Sequence, residues 1–136
     1  MLASAHSSEL KKFGWKAPCG SLPAAYLTGL LLGKRAKSKG VTNAILDIGL
    51  HFRGGGTRIF AATKGALDAG LSIPLDEEIL PPAERLHGEH IAKYSKTLST
   101  EQEKYKKTFS GYLHKNVKPE DLSQHFTEVE SKINAS

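Results

Sequence analysis

Residues 44–74 read AILDIGLHFRGGGTRIFAATKGALDAGLSIP, and no other stretch constrains the fold so tightly. The apolar run at 44–50, interrupted only by Asp47, has the length and character of a central strand. Gly54, Gly55 and Gly56 follow, bracketed by His51, Phe52 and Arg53 on one side and Arg58 on the other. Thr57 stands where a helix should start, and the alanine-rich stretch to Ala69 closes on Gly70. A strand, a basic glycine loop and a helix in succession suit an anionic backbone better than a small-molecule reaction.

The flanking segments extend the same pattern. Residues 2–7 (LASAHS) alternate like a strand, and 9–20 read as a loop carrying Lys11, Lys12, Trp15 and Lys16. Ser21 can cap a helix that tolerates Pro23 in its first turn and runs to about Lys39, with Gly40 as the stop. Strand, helix, strand, helix predicts an α/β layer. After Pro74 the periodicity becomes helical. Ile91, Tyr94 and Leu98 share a face, and Thr100 with Glu103 spells a capping box ahead of Tyr105, Phe109, Tyr112 and Leu113. Pro119 suits the first position of a helix whose first turn holds Glu120 and Asp121. Leu122, Phe126, Val129 and Ile133 then form a stripe at helical spacing, which is a core or partner-packing face. The expected organisation is therefore an α/β core at 1–75, a truncated mixed sheet with packed helices, followed by a helical C-terminal extension at 76–136. That extension is expected to pack on the core or on neighbouring molecules.

Charge divides the chain similarly. Residues 1–64 carry ten Lys or Arg against Glu9 and Asp47, whereas 65–136 carry nine against twelve acids, for a net charge of +5 overall. A basic half joined to a mildly acidic half points to one polyanion-facing surface. Lys34, Arg35, Lys37 and Lys39 load the end of the first helix and, with Lys11, Lys12 and Lys16, make an electrostatic footprint. Complementation of the helix dipole accounts for part of that cluster. The loop is the second basic element: glycines allow close backbone approach to phosphates, Arg53 and Arg58 can fork onto phosphate oxygens, and Phe52 can stack on a base.

Other chemistries find little support. Gly29 to Arg35 lacks the spacing, the Ser or Thr and the preceding strand of a nucleotide-binding loop. His87 and His90 in HGEH lack a third ligand, and no nucleophile elbow is present. Cys19 is the single cysteine, so an internal disulfide and a multi-cysteine zinc site are excluded, and a reducing, cytoplasmic setting is expected. No apolar run is long enough to span a bilayer as a helix, so no membrane partner is expected.

Four segments resemble, in order and spacing, the 5S-rRNA-binding ribosomal protein eighteen family of the large subunit in its archaeal and eukaryotic form. They are 2–15 (LASAHSSELKKFGW), 23–40 (PAAYLTGLLLGKRAKSKG), 44–74, and the tail from GEHIAKYSK at 88, including YKKTFSGY at 105–112 and the turn at 117–122. The resemblance implies a structural constituent of the cytoplasmic large subunit that binds 5S rRNA and helps attach it to the central protuberance. It implies contacts to large-subunit rRNA and neighbouring ribosomal proteins, no enzymatic activity and no cofactor. By resemblance, the RNA-facing side is the loop from His51 through Phe52, Arg53, Gly54, Gly55, Gly56 and Thr57 to Arg58, together with the basic half. Family members carry a basic arm and a hairpin upstream of the strand at 2–7. This chain opens directly on that strand, which implies a fragment or mis-assigned start of a longer protein, or a shortened form, with an unpaired sheet edge. The alternative expectation is a truncated protein–protein module with little RNA affinity that uses its helical tail. An enzyme acting on phosphorylated metabolites at the glycine loop lacks a base, a nucleophile and a metal site.

Overall fold

Two parallel helices organise the molecule. The computed structural model describes residues 1–51, 57–114 and 118–135. Helix α1 spans Leu22–Ser38, with Ser21 as N-cap accepting from the Ala24 N–H at 3.5 Å and Pro23 in the first turn. Helix α2 spans Arg58–Asp68 and starts from Thr57. Gly29 lies against Ala62, and Gly33 lies against Ala66 and Ala69, so the two helices run in the same direction. Their approach is close enough to depend on missing side chains. A Cβ on Gly29 would fall on the Ala62 carbonyl, one on Gly65 would fall on the Tyr26 carbonyl, and one on Gly33 would lie 2.6 Å from the Ala69 Cβ. The Tyr26 hydroxyl donates to the Asp68 carboxylate at 2.5 Å across the pair. Burial first, and then that bond to Asp68, pushes the phenol well above its ordinary range.

Both helices end in the same motif. Gly40 (φ 82°) and Gly70 (φ 106°) hold the left-handed position after each cap. The Gly40 and Gly70 N–H groups donate to Lys37 and Leu67, and the Val41 and Leu71 N–H groups donate back to Ala36 and Ala66. These are twin Schellman motifs, and their apolar closures merge into one small cluster of Ala36, Ala66 and Leu71, with Val41 beside it. Because parallel helices end in identical turns, their exit segments leave side by side. They form one parallel bridge, Asn43 with Ser72, through Ala44 N–H to Ser72 O at 2.9 Å and Ser72 N–H to Thr42 O at 2.8 Å.

The expected α/β fold with a truncated mixed sheet is not what forms. The molecule is mostly helical, and no strand or sheet occurs among the described residues beyond that single bridge. The alternation that suggested strands is real. Ala3 and Ala5 are partly covered while Leu2 and Ser4 are exposed; Ala44, Leu46 and Ile48 are partly covered while Ile45 is 86% exposed. Alternation shows that one face lies against the helices, but a sheet also needs a partner for each backbone edge. Residues 2–7 meet no partner strand among the described residues, the Ser4 carbonyl accepting from Arg35 instead, and give way to a 3-10 helix, Ser7–Phe13, that starts at the end of the expected strand and runs into the expected loop. Asp47 bends the other run, its carboxylate accepting the Gly49 N–H at 2.9 Å, and a further turn closes from His51 N–H to Ile48 O.

The second half wraps the first with short helices: a 3-10 turn at Glu77–Ile79, α3 (Ala83–Leu86), α4 (Glu89–Leu98), α5 (Gln102–Thr108), α6 (Ser110–His114), a 3-10 turn at Pro119–Asp121 and α7 (Leu122–Ala135). The expected stripe is buried in full: Leu122, Phe126, Val129 and Ile133 join Leu10, Trp15, Leu27, Leu30 and Leu31 in the main core. Helix α7 thereby packs on α1 and on the Ser7–Phe13 helix. Trp15 is core, 2% exposed, and stacks on His125 at 5.0 Å between ring centroids. The expected capping box at Thr100 and Glu103 does not form. Helix α5 starts from Glu101 without a side-chain cap, and the Thr100 hydroxyl donates back to Thr97 O at 3.1 Å. That backward bond is the local alternative always open to Ser and Thr.

The close packing of α1 on α2 predicts an asymmetric response to adding one methyl group. Gly65→Ala forces backbone from backbone and should lower stability by about 1–3 kcal/mol or more in urea denaturation. Gly111→Ala, in α6 and facing open space, should be neutral or gain about 0.5–1 kcal/mol. Equal midpoints for the two variants would contradict the close approach.

Candidate nucleic-acid interface

Parallel packing puts both helix N-termini at one end. A cleft of about 650 Å³ lies there, lined by the start of α1 (Gly20, Ser21), the start of α2 (Thr57, Arg58), His6 and His51. Neither α1 nor α2 has an acidic residue in its first turn, a feature they share with α6 and α7 but not with α3, α4 and α5. The positive dipole ends of the two central helices are therefore left uncompensated and adjacent. Thr57 takes extended backbone at the N-cap, yet its hydroxyl makes no capping bond. That oxygen is buried without a hydrogen-bond partner among the described residues. Arg58 ties the two helix starts together, its Nη1 donating to the Gly20 carbonyl at 3.1 Å while the residue stays exposed.

The loop residues Phe52, Arg53, Gly54, Gly55 and Gly56 lie outside the described residues. Their chain neighbours His51 and Thr57 both line the cleft. The cleft also includes His6, Gly20 and Ser21, which the sequence did not mark as site residues. The signal for Ser21 was there, as a helix cap; what sequence could not show is that the caps of two helices meet.

The remaining basic residues divide into three groups. Lys37 and Lys39 are exposed at the C-terminal end of α1, about 25 Å from the cleft at the helical rise per residue. The cleft and this helix end are thus not brought together. Lys34 and Arg35 are engaged internally. The Lys34 Nζ donates to the Ile133 and Asn134 carbonyls at 2.9 and 2.5 Å, capping the end of α7. The Arg35 Nη1 donates to Glu9 at 2.6 Å and to the Ser4 carbonyl at 2.8 Å, and the bond from Arg35 holds the Glu9 carboxyl below its ordinary range. Lys11, Lys12 and Lys16 are exposed on and just after the Ser7–Phe13 helix. The Lys16 backbone N–H donates to His125 Nε2 at 2.9 Å, which requires that nitrogen to be unprotonated. Burial, with Lys16 and Lys132 nearby, lowers the His125 pKa accordingly, against an opposing effect of Glu128.

Residues 36–76 match the family model described as ribosomal large subunit proteins 60S L5 and 50S L18. The matched region runs from the end of α1 through both Schellman exits, the glycine loop and α2. The large ribosomal subunit protein uL18 of Methanococcus maripaludis is 52% identical over 133 residues, covering 98% of this chain and 69% of the relative. The chain belongs to the uL18 family. Members of the family are large-subunit ribosomal proteins, structural constituents of the ribosome and not enzymes. In this uL18 chain no helix among the described residues is long and apolar enough to cross a membrane.

The internal bonds of Lys34 separate its role from that of its neighbours. Lys34→Gln should cost about 1 kcal/mol of stability by uncapping α7, whereas Lys37→Gln with Lys39→Gln should stay within about 0.5 kcal/mol of the parent. Chemical denaturation of the variants decides between them; identical midpoints for all would contradict the capping role.

Proposed function

We propose that this chain, as a structural constituent of the large subunit, binds 5S rRNA and helps attach it to the central protuberance. The RNA-facing side is the end where α1 and α2 start together. One observation carries this most: two uncompensated helix N-termini, joined by the Arg58–Gly20 bond, open onto the cleft that His51 and Thr57, the residues flanking the glycine loop in sequence, both line. Phosphate oxygens are the ligands that backbone N–H groups, a dipole end and a guanidinium share. Arg53 and Arg58 supply bidentate forks, the glycines supply close backbone approach, and Phe52 supplies a face for an unpaired base. Lys11, Lys12, Lys16, Lys37 and Lys39 add the long-range attraction. Lys34 and Arg35, where they contribute, do so through the positive potential and not as free donors.

The alternative, a protein–protein module working through its helical tail, has less to work with. The α7 stripe that would serve as its docking face is buried inside the chain's own core.

Arg53→Glu with Arg58→Glu should weaken binding to 5S rRNA far more than Lys132→Glu, which changes the charge of an exposed lysine on α7. Titrations at several salt concentrations should show the parent losing affinity by roughly 0.7–0.9 log units per log unit of salt for each phosphate neutralised. The double variant should show a shallower slope. Equal losses for the two variants would remove the loop end as the interface.

A further inference from the structure

Residues 14–20 (GWKAPCG) form a strap that links the Ser7–Phe13 helix to the start of α1. From Lys16 to Gly20 this strap makes no backbone-to-backbone hydrogen bond among the described residues. Side chains hold it instead. The Lys16 N–H donates to His125 Nε2 on α7 at 2.9 Å, and the Trp15 ring stacks on the same imidazole. The Trp15 Nε1–H and the Ser21 hydroxyl both donate to the Pro18 carbonyl, at 3.4 and 3.1 Å. The Gly20 carbonyl then accepts from Arg58 at 3.1 Å. An unbroken series of contacts thus runs from His125 on α7 to the cleft where α1 and α2 start.

Only one protonation state of His125 closes that series. Nε2 accepts when it is bare; with a proton there, donor would face donor and the Lys16 bond would be lost. The surrounding charges favour the bare form. Lys16 from the strap, Glu128 and Lys132 from α7, and Lys118 and Asp121 from the turn before α7 line one cleft of about 340 Å³ with the ring. The Ser7–Phe13 helix also packs on α7, but its Glu9 is paired with Arg35 and its Lys11 and Lys12 do not line that cleft. Burial first, and then Lys16 and Lys132, keep the imidazole neutral against the opposing effect of Glu128.

We propose that neutral His125 is a positioning residue for the RNA-facing end: it latches the strap to α7, so holding Gly20 and Ser21 beside Arg58, and its protonation opens the latch. The proposal rests on the α1/α2 end as the RNA-facing surface. His125 contributes no RNA contact and acts through Lys16, Pro18 and Gly20. The unfolded chain takes up the proton first, near the ordinary histidine value of about 6.5. The latch therefore contributes fully to stability above that pH, and its contribution is lost as pH falls from there through the lower folded value.

Trp15 is the only tryptophan, so its emission reports the latch in the RNA-free chain. An imidazolium stacked on an indole quenches it far more than a neutral imidazole does. The parent should show one emission step on acidification, with its midpoint below about 6.5. His125→Gln, whose amide oxygen can accept from the Lys16 N–H without titrating, should show no such step. Cys19 lies on the strap and lines the α1/α2 cleft, so its thiol reports the far end at neutral pH. His125→Leu, which removes the acceptor, should speed its modification by a disulfide reagent several-fold, and His125→Gln should keep the parental rate. On 5S rRNA at neutral pH, His125→Leu should bind several-fold more weakly with an unchanged salt slope, because no phosphate contact is removed. His125→Gln should bind as the parent does. An emission step that persists in His125→Gln, or equal Cys19 rates in the parent and His125→Leu, overturns the latch. Equal RNA affinity for the parent and His125→Leu, with Arg53→Glu and Arg58→Glu together still weakening it, overturns the positioning role. A parent that fails to bind 5S rRNA overturns the RNA-facing reading and the positioning role with it, and is told apart because the emission and thiol signals still report the latch.

Discussion

The packing of α1 on α2 through Gly29, Gly33 and Gly65 is the constraint on which the rest of the molecule depends. With backbone against backbone, the two helices settle in one register and one direction. Direction then fixes both ends. At one end, identical Schellman turns send two exit segments out together, and their single bridge follows. At the other, two helix starts open onto one cleft with the stumps of the glycine loop on its rim. An antiparallel pair of the same helices would place one dipole end against the other and leave no such concentration of positive potential.

Around this pair the chain uses charge in two distinct ways. Some cations hold the fold: Lys34 caps α7 and Arg35 anchors Glu9 and Ser4, while exposed Arg58 does both jobs, linking the two helix starts through one Nη1 bond and keeping its other donors for a ligand. Others stay exposed, at the Ser7–Phe13 helix and at the far end of α1. Substituting a basic residue in this protein therefore has two possible readouts, stability and RNA affinity. Which one responds follows from whether the donor is already used inside the chain.

The legibility of the sequence follows the range of each interaction. The starts and stops of α1 and α2 were readable because Ser21, Gly40 and Gly70 act on their own helices within a turn. The α7 stripe was readable because burial follows helical period. The sheet was not. An apolar run such as 44–50 shows that one face is covered but not whether its backbone has a partner, and Asp47 turned out to make a turn. The role of Lys34 was equally hidden, since its acceptors lie about a hundred residues away. The helix pairing stood in between: Gly29 and Gly33 sit four apart, as do Ala61, Gly65 and Ala69. That small-residue spacing is a signal of close approach once both helices are recognised. At the candidate interface, the loop was marked by its glycines and arginines, while His6, Gly20 and Ser21 became visible only when the second helix start came beside the first.

The lone thiol offers the most direct check on which end faces RNA. Cys19 is half-buried and lines the cleft just before the α1 cap. A short photoreactive group attached there, in the presence of 5S rRNA, should cross-link efficiently. The same group on a cysteine replacing Lys39, in a Cys19→Ser background, should cross-link several-fold less, because it sits at the opposite end of α1. Equal yields from the two positions, or a higher yield from the Lys39 end, would contradict the shared helix N-termini as the RNA-facing surface.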